Sequence, residues 1–122
     1  MSKEFKFPDN VFLEIAKGSG TGKKFPLTEK SMSIGRAQDC TVTIESEFVS
    51  RRHAQIVFRC GHFTIIDLAS RNKTKVNGHS HLEKNLKHLD IIAIGDTELV
   101  FNWPDQESYT REYLSPDEKN PH

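Results

Sequence analysis

Turn-forming residues cut this chain into short pieces, and the pieces between them are the wrong length and composition for helices. From residue 10 to residue 103 the stretches 11–15, 23–27, 32–34, 41–44, 53–59, 62–68, 74–77, 90–94 and 97–103 are rich in β-branched and aromatic side chains. Such content suits a pleated, half-buried surface. In Thr41-Val42-Thr43-Ile44 the alternation has period two, which puts Val42 and Ile44 on one face. Between the runs stand Gly18-Ser19-Gly20-Thr21-Gly22, Arg59-Cys60-Gly61-His62, Asn77-Gly78 and Gly95-Asp96. Asn77-Gly78 is the strongest of these signals, because both residues tolerate the positive φ of a type I′ turn. No stretch longer than about eight residues carries an amphipathic helical stripe. Residues 11–17 come nearest to one, and the glycines behind them limit its length. The fold class is all-β, with the strand spacing of a sandwich.

A chain of 122 residues, 35% hydrophobic and 28% charged, fits one domain with a core. Residues 1–9 read as a short leader and 10–103 as the folded unit. Residues 104–122 carry a net charge of −3 and three prolines, as a mobile acidic tail or the start of a linker would. Seventeen basic residues balance 17 acidic ones, so bulk attraction to nucleic acid is not expected. The apolar runs fall far short of the ~18 residues that span a bilayer, and the first residues lack the pattern of a secretory signal. No membrane partner is expected. Cys40 and Cys60 are read as free thiols of a reducing compartment, which makes the cytoplasm the expected location.

Three chemical readings fail on spacing. Gly18 to Lys24 suggests a nucleotide phosphate loop, yet the first required glycine falls on Lys17 and the metal-binding hydroxyl on Lys24. His79, His81 and His88 lack a recognised zinc spacing. Ser50 and His53 could pair as nucleophile and base, but no elbow motif surrounds Ser50. Asn72-Lys73-Thr74 matches a glycosylation sequon, which acts only in a secreted chain. No catalytic residue, metal or cofactor is expected.

Four further pieces matter by their order. Gly35-Arg36 closes one strand candidate, and Ser50-Arg51-Arg52-His53 opens another. Asp67-Leu68-Ala69-Ser70-Arg71-Asn72 leaves a third, and Thr74-Lys75-Val76-Asn77-Gly78 follows. In this order the sequence resembles the forkhead-associated (FHA) domain, whose hallmark is Gly-Arg, then Ser-x-x-His, then Asn-Gly-Thr, then Asn-Gly. The resemblance covers about residues 10–103. It implies an eleven-stranded β-sandwich whose loops at one end bind phosphothreonine peptides.

Carried over position by position, Arg36 is similar to the family's phosphate-binding arginine and Ser50 to the serine that donates to a phosphate oxygen. Arg51 matches an adjacent position that contacts phosphate or peptide backbone, and Asn72 the asparagine that clamps the peptide main chain. Arg71 joins this candidate phosphopeptide-binding set. The resemblance implies that His53 braces the loops, and that Gly35, Thr74, Asn77 and Gly78 shape them. Two positions depart from the pattern. Lys73 stands where the family has glycine after the clamp asparagine, and Leu89 precedes Asp90 where a glycine is common.

The assignment agrees with elementary chemistry. A phosphothreonine carries nearly two negative charges and three acceptor oxygens, and charge-assisted bonds from a guanidinium are about twice as strong as neutral ones. Residues 36–75 carry a local charge of +3 in a neutral chain. The expected partner is a threonine-phosphorylated protein or peptide, and the expected function is noncatalytic recognition in signalling. The alternative is an interaction domain of the same fold that has lost phosphate dependence. Ser108, Thr110 and Ser115 in the acidic tail suggest self-association through a phosphorylated tail.

Overall fold

The computed structural model describes residues 6–113. In chain order the elements are β1 (Phe12–Lys17), β2 (Lys24–Pro26), β3 (Ser31–Gly35), β4 (Val42–Thr43), β5 (Ala54–Arg59), β6 (His62–Asp67), β7 (Thr74–Val76), β8 (His79–Ser80), β9 (Glu83–Asn85), β10 (Ile91–Ile94), β11 (Thr97–Asn102) and α1 (Gln106–Tyr113). The strands form a six-stranded sheet, β2-β1-β11-β10-β7-β8, and a five-stranded sheet, β4-β3-β5-β6-β9. Every one of the nine sequence runs overlaps a strand. The remaining two, β8 and β9, are short and mostly exposed. They are held by pairing with β7 and β6 and not by any apolar pattern of their own.

Period-two alternation builds the core. In β11, Thr97, Leu99 and Phe101 point inward while Glu98, Val100 and Asn102 do not. Leu13 and Ile15 of β1 and Ile92 and Ile94 of β10 bury beside them, and Met32, Ile34, Ile56, Phe63 and Ile65 belong to the same cluster from the other sheet. Turn chemistry fixes the register. Asn77 and Gly78, with φ of 51° and 87°, join β7 to β8 as a type I′ turn requires. The Gly18–Gly22 run is a hairpin loop between β1 and β2, closed by the Ile15 N–H on the Lys23 carbonyl at 2.9 Å.

The sandwich has two unlike ends. At one end gather the segments that follow β3, β4, β6 and β10. At the other lie the β5–β6 turn, the Asn77-Gly78 turn and the segment after β11. Aromatic rings close this second end: Phe63 and Trp103 stand 5.3 Å apart, and Phe7 lies 5.0 Å from Phe58. Phe7 therefore packs, although it falls in the stretch read as a leader.

The expectation of a mobile tail from residue 104 is corrected over 106–113, which form α1. Tyr109 is buried 5.2 Å from Trp103, and its hydroxyl donates to the Lys6 carbonyl at 2.8 Å. Gln106 accepts from the His88 N–H and donates to the Leu86 carbonyl. The helix escapes a periodicity reading because it makes barely two turns and buries one residue. Ser108 and Thr110 are thus helical, with the Thr110 hydroxyl turned back onto the Glu107 carbonyl. Their place in a mobile tail is corrected to a place on a helix. Ser115 lies outside the described residues. Among the described residues no helix is long and apolar enough to cross a membrane.

Candidate functional site

The end of β3 meets the segment before β5 at Gly35. A β-carbon on Gly35 would collide with the Arg51 carbonyl oxygen and stand 3.1 Å from the Arg52 α-carbon. Glycine is therefore required by a close backbone approach. That approach zips the two segments together, with the Arg36 N–H on the Ser50 carbonyl at 3.0 Å and the Ala37 N–H on the Arg51 carbonyl at 3.1 Å. The Arg36 side chain is exposed, and its Nε donates to the Val49 carbonyl at 3.1 Å. This bond aims the guanidinium while leaving its terminal nitrogens for an anion.

Ser50 is held from both sides. Its backbone N–H donates to His53 Nδ1 at 3.1 Å, and its Oγ accepts the Arg71 N–H, also at 3.1 Å. With Oγ accepting from the backbone, its own hydrogen is available to a ligand. Because His53 Nδ1 accepts, Nε2 carries the hydrogen and donates to the Lys73 carbonyl at 2.8 Å. The fully buried ring thus ties the Ser50 segment to the β6–β7 loop. It holds the Ser50 backbone and not its hydroxyl, so the two do not form a nucleophile–base pair. Asn72 adds a third tie, from Nδ2 to the Phe48 carbonyl at 2.7 Å.

A carboxylate that sequence reasoning did not single out organises the β6–β7 loop. Asp67 accepts from the Ser70 N–H at 3.1 Å, from the Ser70 hydroxyl, and from the buried Thr74 hydroxyl at 2.7 Å. Burial opposes the Asp67 charge, but the Ser70 and Thr74 hydroxyls outweigh it and hold the carboxyl below its ordinary value of 3.8. The spacing Asp67-x-x-Ser70 was the available signal, since a side-chain acceptor three residues ahead of an N–H is a common loop device.

A second support was also missed. Gly95 has φ 61°, and a β-carbon there would lie 2.7 Å from the Phe48 carbonyl oxygen. Beside it the Ser46 hydroxyl donates to Asp96 at 2.6 Å. The β10–β11 turn thus presses on the segment that carries Phe48 and Val49.

Arg36, Glu47, Phe48, Val49, Ser50, Arg51, Arg71 and Asn72 line one hollow of about 300 Å³. Three segments remote in sequence therefore bring the five candidate binding residues to one place. Among the described residues, Arg36, Arg51 and Arg71 make no ion pair, although Arg51 lies near enough to Asp39 to favour its charge, whereas Arg52 is paired with Asp39 at 2.6 Å. A hydrogen bond from Arg52 holds the Asp39 carboxyl below its ordinary range. Gly35, His53 and Thr74 support this end. Asn77 and Gly78 do not: Asn77 bonds Asp90 and Ile91, at the opposite end of β10 from Gly95. Lys73 and Leu89, the two departures from glycine, have φ of 63° and 72°. Both non-glycine residues occupy the left-handed conformation that glycine would take freely. His79, His81 and His88 do not converge. Among the described residues no three His, Cys, Asp or Glu side chains gather as a metal would require.

The FHA domain profile matches residues 32–95. The glycogen accumulation regulator GarA of Mycolicibacterium smegmatis is 33% identical over 92 residues, which are 75% of this chain and 58% of that protein. An oxoglutarate dehydrogenase inhibitor of Corynebacterium efficiens is 32% identical over 92 residues, again 75% of this chain and 65% of that protein. The chain thus spans less than two thirds of either relative. A solved structure from a study of phosphothreonine-dependent FHA domain interactions superposes with a TM-score of 0.70 at 33% identity, covering 76% of this chain and 95% of that one.

Proposed function

Because the chain belongs to the forkhead-associated family, we propose that it is a noncatalytic module that recognises threonine-phosphorylated partners in protein–protein signalling. The observation that carries this reading is the set of three arginines around Ser50 that make no ion pair among the described residues. Against them stands one carboxylate, Glu47, so the hollow's surplus is close to the charge of one phosphothreonine. In this reading Arg36 and Ser50 hold the phosphate, Arg51 and Arg71 flank it, and Asn72 engages the peptide main chain. Phe48, exposed at the rim, offers the apolar surface that a threonine methyl needs, a contact worth only about 0.8 kcal/mol.

The names of the two bacterial relatives, a regulator and an inhibitor, support a role exerted through binding. A cytoplasmic location fits the free thiols of Cys40 and Cys60. Calorimetric titration with a phosphothreonine peptide and its unphosphorylated twin tests the proposal. Binding should require the phosphate, and Arg36→Ala should weaken it about ten- to hundredfold, as loss of a hydrogen bond to a charged group implies. Equal affinity for the two peptides would instead support the phosphate-independent alternative.

A further inference from the structure

Lys73, exposed, follows the lining residue Asn72 in a conformation that suits glycine. Its φ is 63°, where a side chain crowds its own backbone. The bend cannot relax, because the Lys73 carbonyl receives the His53 Nε2–H and the next residue, Thr74, is buried against Asp67. The fold therefore requires the bend and gains nothing from the lysine that makes it. What the side chain adds is a positive charge one residue beyond Asn72.

That charge is in excess. Arg36, Arg51 and Arg71 against Glu47 already approximate the charge of one phosphate. The ion pairs among the described residues join Arg52 to Asp39, Arg59 to Glu83 and Arg111 to Glu107, and leave Lys73 without a carboxylate. An exposed cation beside a site that is neutral once occupied calls for a further anion on the ligand. Glu47, on the segment that Asn72 holds through Phe48, repels such an anion from its own side.

Resting on the phosphothreonine reading above, we propose that Lys73 is a specificity-determining residue that selects acidic partners. The favoured peptide carries a carboxylate side chain on one flank of its phosphothreonine. The Nζ of Lys73 meets that carboxylate at the surface, so the contribution is a few-fold and sensitive to salt.

The test uses synthetic phosphothreonine peptides in an alanine and serine background. Aspartate is placed in turn at each of the three positions on either side, each peptide having an asparagine twin. Fluorescence anisotropy gives the Asp-over-Asn affinity ratio for the wild-type chain, for Lys73→Gly, which suits the bend, and for Lys73→Met, which keeps the length without the charge. At least one position should give a ratio of about three to five in the wild type. In both variants the ratio should fall to about one, and high salt should reduce it in the wild type. A ratio near one at every position of the wild type overturns the proposal, and so does a ratio that survives Lys73→Gly. Phosphorylated peptides that bind no better than unphosphorylated ones overturn the phosphothreonine reading together with this one, whereas phosphate-dependent binding with no acidic preference overturns this one alone.

Discussion

Gly35 and Arg51 meet backbone to backbone, with no room between them for a β-carbon. The contact explains why Arg36 is preceded by a residue with no side chain. Gly35→Ala must push the 50–52 segment outward, carrying Ser50 and Arg51 with it. Overpacking of this kind costs about 1–3 kcal/mol. The variant should lose that much stability in urea denaturation and bind a phosphothreonine peptide more weakly than its remaining folded fraction explains. Undiminished affinity per folded molecule would show that the placement of Ser50 does not depend on this contact.

His53 joins Ser50 to Lys73 through its two nitrogens. In His53→Ala the Ser50 N–H and the Lys73 carbonyl both lose their partner, and a buried ring is replaced by a cavity. Leaving a buried polar group unsatisfied costs about 1–3 kcal/mol. A total loss of about 2–5 kcal/mol is expected, within the range of severe single substitutions. Backbone amide exchange should quicken in the 50–53 and 70–74 segments before it does in β1 and β11. Uniform quickening across both sheets would contradict the view of His53 as a local brace.

The sandwich was legible because inward and outward residues alternate, and that alternation is written locally in runs such as 97–103. β8 and β9 were not, since two or three polar residues paired at a sheet edge have no pattern to detect. α1 was missed for a related reason: a single buried tyrosine makes no stripe. At the site, Arg36, Ser50 and Asn72 could be named from motif order. Asp67 had its spacing to Ser70 to mark it, but Gly95 and Asp96 carry no such motif. Their importance comes from approaches such as Gly95 to Phe48, between residues far apart in the chain, which only the fold brings together.

Asp67 makes the β6–β7 loop sensitive to acid. Its carboxyl titrates below the ordinary value in the folded chain, because Ser70 and Thr74 donate to the charged form despite the opposing effect of burial. A lowered folded-state pKa contributes stability that is fully present above the unfolded carboxylate value, about 3.9, and is lost as pH falls through the folded-state value. Asp67→Asn should therefore be less stable than the wild type at pH 7. The gap should narrow as the pH is taken below about 4 in parallel urea titrations. A gap that widens toward acid would have the opposite sign and refute the assignment.

Two left-handed positions outside the hollow, Leu89 and Gly95, should respond to substitution in opposite directions. Leu89 has φ 72° with its side chain 58% exposed, so glycine there relieves backbone crowding and gives up little buried area. Left-handed backbone costs an L-residue about 1–2 kcal/mol, and part of the relief is offset by the greater freedom of glycine in the unfolded chain. Leu89→Gly should stabilise by about 0.5–1 kcal/mol and leave phosphopeptide binding unchanged, because the turn lies at the far end of β10. Gly95→Ala meets both a positive φ and the Phe48 carbonyl, and should cost about 1–3 kcal/mol while weakening binding through the displaced Phe48 segment. Thermal denaturation and peptide titration of the two variants separate the effects. If Leu89→Gly proves destabilising, the side chain contributes packing that outweighs the crowding. If Gly95→Ala lowers stability without touching affinity, the β10–β11 turn supports the fold and not the hollow.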